Sequence, residues 1–527
     1  MIGKPGISRR TAMELVALGP FAAAGFSGLK SALAQSTLAQ STGKTLTVAI
    51  PAGPTTLDPI FAVTHDPLTI TQTMFENLVE YDVDGVLRPQ LAKQLPEISA
   101  DALIYTFELR DDVYFHNGEK MTSADVKYSF DSMLDPKRNA ARRGPFVRID
   151  KVEADSPTRV RVFLKEPYAP WLYFLTKYMG VWPNGSREKL GDEHFKLHPT
   201  GVGTGPGMFE EWRPNEYVSL KRNPNYWQKD VPHWERLVVK IVPEDATRVA
   251  YLLTGQADII GAPPPRDFAR LKSQKGFTGA ARPTLGGWSV MLCNTQKAPF
   301  DDINFRKAVA YGIDRDTIAK DVFYGLLQPA TVPAPPGSWW YDEKADHIIS
   351  YDLDKARAYL KKSQHPDGAQ FDVTVPSTPY LLDMRDAAVV IQAQLEKLNI
   401  HANIKLAEPN VAVAQYIRGE EQATLVNIMS PGEPTYLIMV NFTAGQVMTK
   451  TSNYTNPKID ELLKVAFAET DHEKLKPVYA QLMTLFAEET PYIWFGFFDV
   501  ADVWRDTVKD FKVNKGLSIL VRDTIPG

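Results

Sequence analysis

Four glycines in seven positions, Gly201, Gly203, Gly205 and Gly207 in "GVGTGPG", have the spacing that comes nearest to a phosphate cradle in this chain. A dinucleotide site needs such glycines between a strand and a helix N-terminus, where free amides and the helix dipole meet the phosphate. Pro206 interrupts these four, and the following "MFEEWRPNEYVSLKRN" alternates like a hairpin and has no helical period. They are expected to permit a sharply bent, extended backbone with close chain approach. "STGKT" at 41 to 45 ends like a P-loop, but Leu38 stands where the first glycine is required. No HExxH, GxSxG or EF-hand pattern occurs. The nine histidines, His116 and His194 among them, are scattered singly, and Asp111-Asp112 and Asp301-Asp302 fall in predicted turns, where solvated charge explains them. Cys293 is the one cysteine, in the apolar "WSVMLCNT", so neither a disulfide nor a cysteine metal cluster forms within one chain. The sequence offers no catalytic constellation, no metal site and no cofactor motif.

The elements around these residues read as mixed α/β. "KTLTVAI" at 44 to 50 has strand alternation and stops at Pro51. "YTFELRDDVYFHNGEKM" predicts a hairpin, with Tyr105, Phe107 and Leu109 alternating and a turn at Asn117-Gly118. Thr122 with Asp125 is a capping-box variant that opens a helix, and Asp135-Pro136 ends it. "LVVKIV", "DATRVAYLLTG" and "ADII" predict one βαβ unit, and "FDVTVPS", the helix carrying Ile391, Leu395 and Leu398, and "IHANIKL" a second. "PATVPAPPGSWW" at 329 to 340 is expected to be a rigid surface excursion.

At 527 residues, with 44% hydrophobic and 23% charged residues, the chain is a multi-domain globular protein. Its formal net charge of -4 offers no general attraction to nucleic acid or to an anionic membrane. Lys4, Arg9 and Arg10, the broken apolar run from Leu15 to Leu29 and "ALA" at 32 to 34 have the layout of an export signal, residues 1 to 34. Cleavage is expected after Ala34 or after Ala39; "SRRTAM" resembles a twin-arginine signal, with Ala12 where a large apolar residue is usual, so Sec export stays open. No cysteine follows the run, so a lipoprotein anchor is not expected.

Seven stretches in order carry a more specific likeness: "TLDP" (56–59), "NLVEYD" (77–82), "FELRDDVYFHNGEKMTSADVKYSF" (107–130), "GTGP" (203–206), "RNPNYW" (222–227), "FRKAVAYGIDR" (305–315) and "QAQLEKLNI" (392–400). On them the chain resembles the solute-binding proteins of bacterial ABC importers, in the peptide/nickel-binding family. The resemblance implies an α/β, two-lobe periplasmic-binding-protein-like (type II) fold with an extra subdomain inserted in lobe I. By analogy lobe I comprises 44–80, 200–285 and 492–527, the insertion 81–199, and lobe II 286–491. It further implies a monomer in the periplasm that closes on a small-molecule solute and delivers it to the permease transmembrane subunits, without catalysis.

Many peptide-binding members resemble one another in a W-x-x-D-Y-P-D-P segment whose aspartate pairs with the peptide amino terminus. Here the corresponding stretch is "NIMSPGEP" (427–434), with Asn427 for the Trp, Ser430 for the Asp, and Glu433 as an acid before Pro434. Ser430 cannot neutralise a desolvated ammonium, which argues against an ordinary free-amino peptide. A neutral or anionic organic solute remains, whether aromatic, sugar-derived or a modified peptide, with nickel or peptide binding and a secreted hydrolase as alternatives. Candidate ligand-binding residues are Phe61, His65 and Asp66 after "LDP", Trp288 at the entry to lobe II, Tyr380 beyond a strand end, and Asn427, Met429 and Ser430.

Overall fold

Leu46, Val48 and Ile50 alternate in Thr45–Ile50 and lose their surface to the interior, which makes this strand the spine of the molecule. A computed structural model describes residues 44–62, 68–377, 384–428, 433–446 and 448–527. Among these, eleven strands form one sheet. On one side of Thr45–Ile50 lie Arg236–Ile241, Tyr217–Arg222 and Gly207–Arg213; on the other lie Ile259–Gly261 and Tyr492–Arg505. Thr45–Ile50 runs parallel to both Arg236–Ile241 and Ile259–Gly261, which are joined by the helix Asp245–Thr254, so the first predicted βαβ unit is present. The second is Ala369–Pro376, the helix Met384–Leu395 and the parallel Ile400–Ala407.

Two long antiparallel strands, Phe277–Cys293 and Tyr492–Arg505, carry the sheet from one lobe into the other. Their register runs unbroken from Phe277 opposite Arg505 to Pro283 opposite Asp499, then shifts before Trp288 opposite Phe497. Beyond the shift the first strand pairs with Ala423–Ile428 and joins the second βαβ unit. Residues 284–287 and 496–499 flank this break in register, one stretch inside each long strand. Gly287 and Gly496 stand there because side chains would not fit: a Cβ at Gly287 would lie 2.3 Å from the Phe498 ring, and one at Gly496 would lie 2.1 Å from the Gln328 carbonyl oxygen.

The segment 81–199 adds a four-stranded sheet, Glu97–Ile98, Ile104–Glu108, Arg159–Leu164 and Ile149–Ser156. Its Tyr105, Phe107 and Trp171 belong to one continuous apolar cluster with Val48 and Trp234. This corrects the hairpin expectation. The turn at Asn117-Gly118 forms, with Gly118 at φ +87°, but it joins Phe115 to Glu119, while Ile104–Glu108 pairs with Arg159–Leu164, fifty residues away. The capping box is as read, with Thr122 at the N-cap and Asp125 donating no proton but accepting from the Thr122 amide at 2.7 Å. The Pro-rich 329–340 is not a surface excursion: Val332, Ala334 and Trp340 are buried in the second lobe's core, and the Pro333 carbonyl accepts from the Trp288 indole. Proline stiffness hides such a role in sequence, since a rigid segment serves equally well as core wall or as loop.

Candidate functional site

The aromatic run "YAPWLYFLTKYMG" (168–180) folds around a short helix, Trp171–Leu175, whose Trp171, Tyr173, Phe174 and Leu175 are all buried. Apolar on every side, it must be covered, and the second lobe helps to cover it. Phe174 meets Tyr436 edge-on with ring centroids 4.5 Å apart, Tyr168 meets Phe467 at 5.4 Å, and the Ala169 amide donates to the Phe467 carbonyl at 3.1 Å. Tyr81 lies 5.7 Å from Tyr173 on the same wall.

Facing these tyrosines is Glu433, the N-cap of the helix Pro434–Phe442. Its two carboxylate oxygens accept from the amides of Thr435 (3.1 Å) and Tyr436 (2.6 Å). Burial pushes its acid up to about 7, against the pull of those amides. Burial first, and then the Glu433 charge, raises the hydroxyls of Tyr81 and Tyr168, and the same charge adds to burial at Tyr173. Cations stand on the first-lobe side. Arg142 donates from Nε to the Ala62 carbonyl at 2.8 Å, and its guanidinium lies 4.2 Å over Tyr178. Lys177 is buried, with Nζ donating to the Gly516 carbonyl at 3.1 Å and its ammonium pushed down to about 8 by burial. Among the described residues no carboxylate pairs with Lys177.

The hydroxyls of Tyr168 and Tyr173 are buried with no hydrogen-bond partner among the described residues. Each such group costs about 1–3 kcal/mol until an acceptor reaches it. Two unspent hydroxyl donors with cations near them, and one capped carboxylate whose charge they feel, make a buried polar cluster suited to oxygen-rich, acceptor-bearing molecules.

Of the residues singled out in the sequence, Phe61 is half-buried against the first-lobe core beneath the Lys196 ammonium, 5.1 Å from its ring. Asn427 sits in the strand Ala423–Ile428 opposite Ser289, whose hydroxyl donates to its Oδ1 at 2.7 Å. Trp288 is the next residue along the partner strand, fully buried edge-on to Trp494 at 5.8 Å. The fold therefore brings Trp288 and Asn427 together just past the break in register, with Trp288 inside the core. His65, Asp66, Tyr380, Met429 and Ser430 lie outside the described residues. Tyr81, Arg142, Tyr168, Tyr173, Lys177 and Tyr436 were missed; the one signal for them was the density of aromatics around a lysine at 168–180.

Residues 86–449 match the model of bacterial extracellular solute-binding proteins, family 5 (middle region), and the chain belongs to that family. It is similar to the glutathione-binding protein GsiB of Escherichia coli O6:K15:H31 (strain 536), 28% identical over 460 residues, covering 85% of this chain and 88% of GsiB. Among solved structures it resembles AgaA of A. tumefaciens R10 in complex with agropinic acid, at a TM-score of 0.77 and 25% identity, covering 92% of this chain and 99% of AgaA. It also resembles the periplasmic binding protein DppA of Helicobacter pylori in complex with the peptide STSA, at a TM-score of 0.77 and 24% identity, covering 90% and 98% of the two chains. The fold is the two-lobe one, and the protein is the solute-binding component of an ABC importer. Members of this family are extracytoplasmic binding proteins that serve ABC permeases. No helix among the described residues is long and apolar enough to cross a membrane.

Proposed function

We propose that the protein captures a small organic solute bearing carboxylate or carbonyl oxygens, closes its lobes on it without altering it, and hands it to permease transmembrane subunits as a periplasmic monomer. The observation that carries this is the pair of buried hydroxyls on Tyr168 and Tyr173 that have no hydrogen-bond partner among the described residues, Tyr168 beneath the Arg148 guanidinium and Tyr173 beneath the Lys177 ammonium, both in the field of Glu433. The glutathione named for GsiB and the agropinic acid held by AgaA are acids of this general kind. Phe61, His65, Asp66, Tyr380, Asn427, Met429 and Ser430 belong to the segments proposed to complete the site. Ordinary free-amino peptides fit less well: position 430 is a serine, and Glu433 already spends both oxygens on backbone amides. Nickel is the weaker alternative, since 427–434 holds no histidine and no three metal-ligating side chains converge among the described residues.

The lobe limits 44–80, 200–285 and 492–527 for the first lobe, 81–199 for its insertion and 286–491 for the second are part of the same proposal. They are supported by the register shift after Pro283. Export on a signal cleaved after Ala34 or Ala39, twin-arginine or Sec, belongs with it. The test is native mass spectrometry of the purified protein, followed by calorimetry on the compound released and on glutathione. A bound acid that returns with micromolar affinity, near -8 kcal/mol, is the expected result. A ligand lacking carboxylate and carbonyl groups, or a compound chemically converted during incubation, overturns the reading.

A further inference from the structure

A cavity of about 330 Å³ lies between the C-terminal residues 510–524, the end of the helix Leu68–Met74 and the paired strands Val79–Tyr81 and Leu87–Pro89. Phe75, Pro206 and Leu520 give it apolar walls, and four acids and two cations also line it: Glu80, Asp82, Asp510, Asp523, Lys512 and Arg522. Three of the acids are spent. Glu80 accepts from the Gln90 amide at 2.9 Å and from Arg522 Nη1 at 3.1 Å, Asp82 accepts from the amides of Asp84 and Val86 and from Arg88 Nε, and Asp523 pairs with Arg522 Nε at 3.5 Å. Asp510, exposed at the mouth, makes no hydrogen bond or ion pair among the described residues. Three donors of the lining also have no acceptor there: Arg522 Nη2, Lys512 Nζ, and Nε2 of Gln72, whose Oε1 accepts from the Ser518 hydroxyl at 2.7 Å. Arg522 stands at the inner end. Its charge reaches the Tyr226 hydroxyl, which burial and then the Glu76 charge hold well above its ordinary range and which Arg522 pulls back down.

A guanidinium arm, an ammonium and an amide N–H without acceptors call for oxygens, and a carboxylate offers two with the charge that suits them. A plain anion is disfavoured, because acids outnumber cations in the lining. A zwitterion escapes that penalty, since its ammonium meets the open carboxylate of Asp510. We infer that this cavity is a binding site for a small amino acid with an apolar side chain, its carboxylate on Arg522 and Lys512, its ammonium on Asp510, and its side chain against Phe75, Pro206 and Leu520. The volume is ample for a molecule of that size, and the mixture of apolar wall with a few open polar groups is that of a small-molecule site. A metal fits less well, since no three metal-ligating side chains converge among the described residues.

The amino acid has two sources, a free metabolite or the amino-acid end of the transported solute itself. Calorimetry with L-leucine at pH 7 and constant ionic strength tests the site, beside L-leucic acid, which has a hydroxyl for the ammonium, and L-leucinol, which lacks the carboxylate. Leucine is expected to bind at least about tenfold more tightly than either control. R522K keeps a charge for Glu80 but gives up the second donor arm, and is expected to weaken leucine about tenfold, K512A by less. D510N is expected to abolish the preference for leucine over leucic acid. Asp510 and Lys512 are exposed, so their variants are expected to melt like the parent and keep the test decisive should R522K fail to fold. Equal binding of the three compounds, no binding of leucine, or leucine binding unchanged in both K512A and D510N overturns the proposal. Comparing protein stripped of solute with protein carrying it separates the sources: leucine binding confined to stripped protein assigns the site to the solute's amino-acid end, and binding in both assigns it to a free amino acid. The acidic-solute reading rests on other residues, Tyr168 and Tyr173, so the two proposals fail separately.

Discussion

Asp58, in the "TLDP" stretch, and Arg187 form a bidentate pair at 2.7 and 2.9 Å, with neither side chain exposed. Arg187 also donates to Asp192 at 3.2 Å and lies over the rings of Trp182 and Phe195. Removing one partner leaves an uncompensated buried charge, so R187M is expected to lose about 3–5 kcal/mol in urea unfolding. Glu76 is the acid that the Tyr and Trp of "RNPNYW" bind: it accepts from the Tyr226 hydroxyl at 2.8 Å and the Trp227 indole at 3.0 Å. Burial pushes it up to about 7. Its folded form therefore holds a proton that the unfolded chain has released between pH 4.5 and 7, so its contribution to stability falls as pH rises across that window, by about 3 kcal/mol at most. Glu433 and Asp502, both near 7, act in the same direction. His116, pushed down to about 4 by burial, acts oppositely as pH falls below 6.5. Urea midpoints are expected to decline from pH 5 to pH 8, and E76Q to flatten that decline; an unchanged slope in E76Q would refute the assignment.

At the scale of elements, the glycine stretch and the Glu433 helix make the sharper cases. A Cβ at Gly203 would lie 2.2 Å from the Met74 carbonyl oxygen, and one at Gly205 would lie 2.4 Å from that of Thr73. Backbone atoms cannot step aside as side chains do, so G205A is expected to cost more than about 2 kcal/mol in the same unfolding assay. The alternation and Pro206 excluded a nucleotide, but only the packed structure identified the segment these glycines press against. Glu433 is a cap before it is anything else: E433A is expected to lose about 0.5–2 kcal/mol of stability, measured as a lower melting temperature. E433Q, which still offers one acceptor oxygen to the helix amides, is expected to recover part of the loss.

For the whole molecule, closure is the property at stake. Tyr436 against Phe174 and the Ala169 amide on the Phe467 carbonyl join the two sides directly. Y436A is expected to enlarge the radius of gyration of solute-free protein in small-angle scattering, and to weaken solute binding about tenfold, near 1.4 kcal/mol, because a ligand then has to make closure favourable unaided. An unchanged envelope together with unchanged affinity would show that this contact does not govern closure.

Much of this protein was legible from its residues alone. The alternation in "TLTVAI", the two βαβ units, the capping box at Thr122 and the seven ordered stretches all rest on local patterns of period 2 or 3.6, or on short strings, and these survive without knowledge of distant neighbours. Pairing across fifty residues did not, which is why Ile104–Glu108 was assigned the wrong partner and why 329–340 was placed at the surface. The polar cluster belongs to the same class: Arg142, Tyr168, Tyr173, Lys177 and Glu433 are each unremarkable in sequence, and their chemistry arises when burial removes water and brings hydroxyls, cations and a carboxylate from distant segments together. Desolvation depends on what covers a side chain, and that is decided by the tertiary structure.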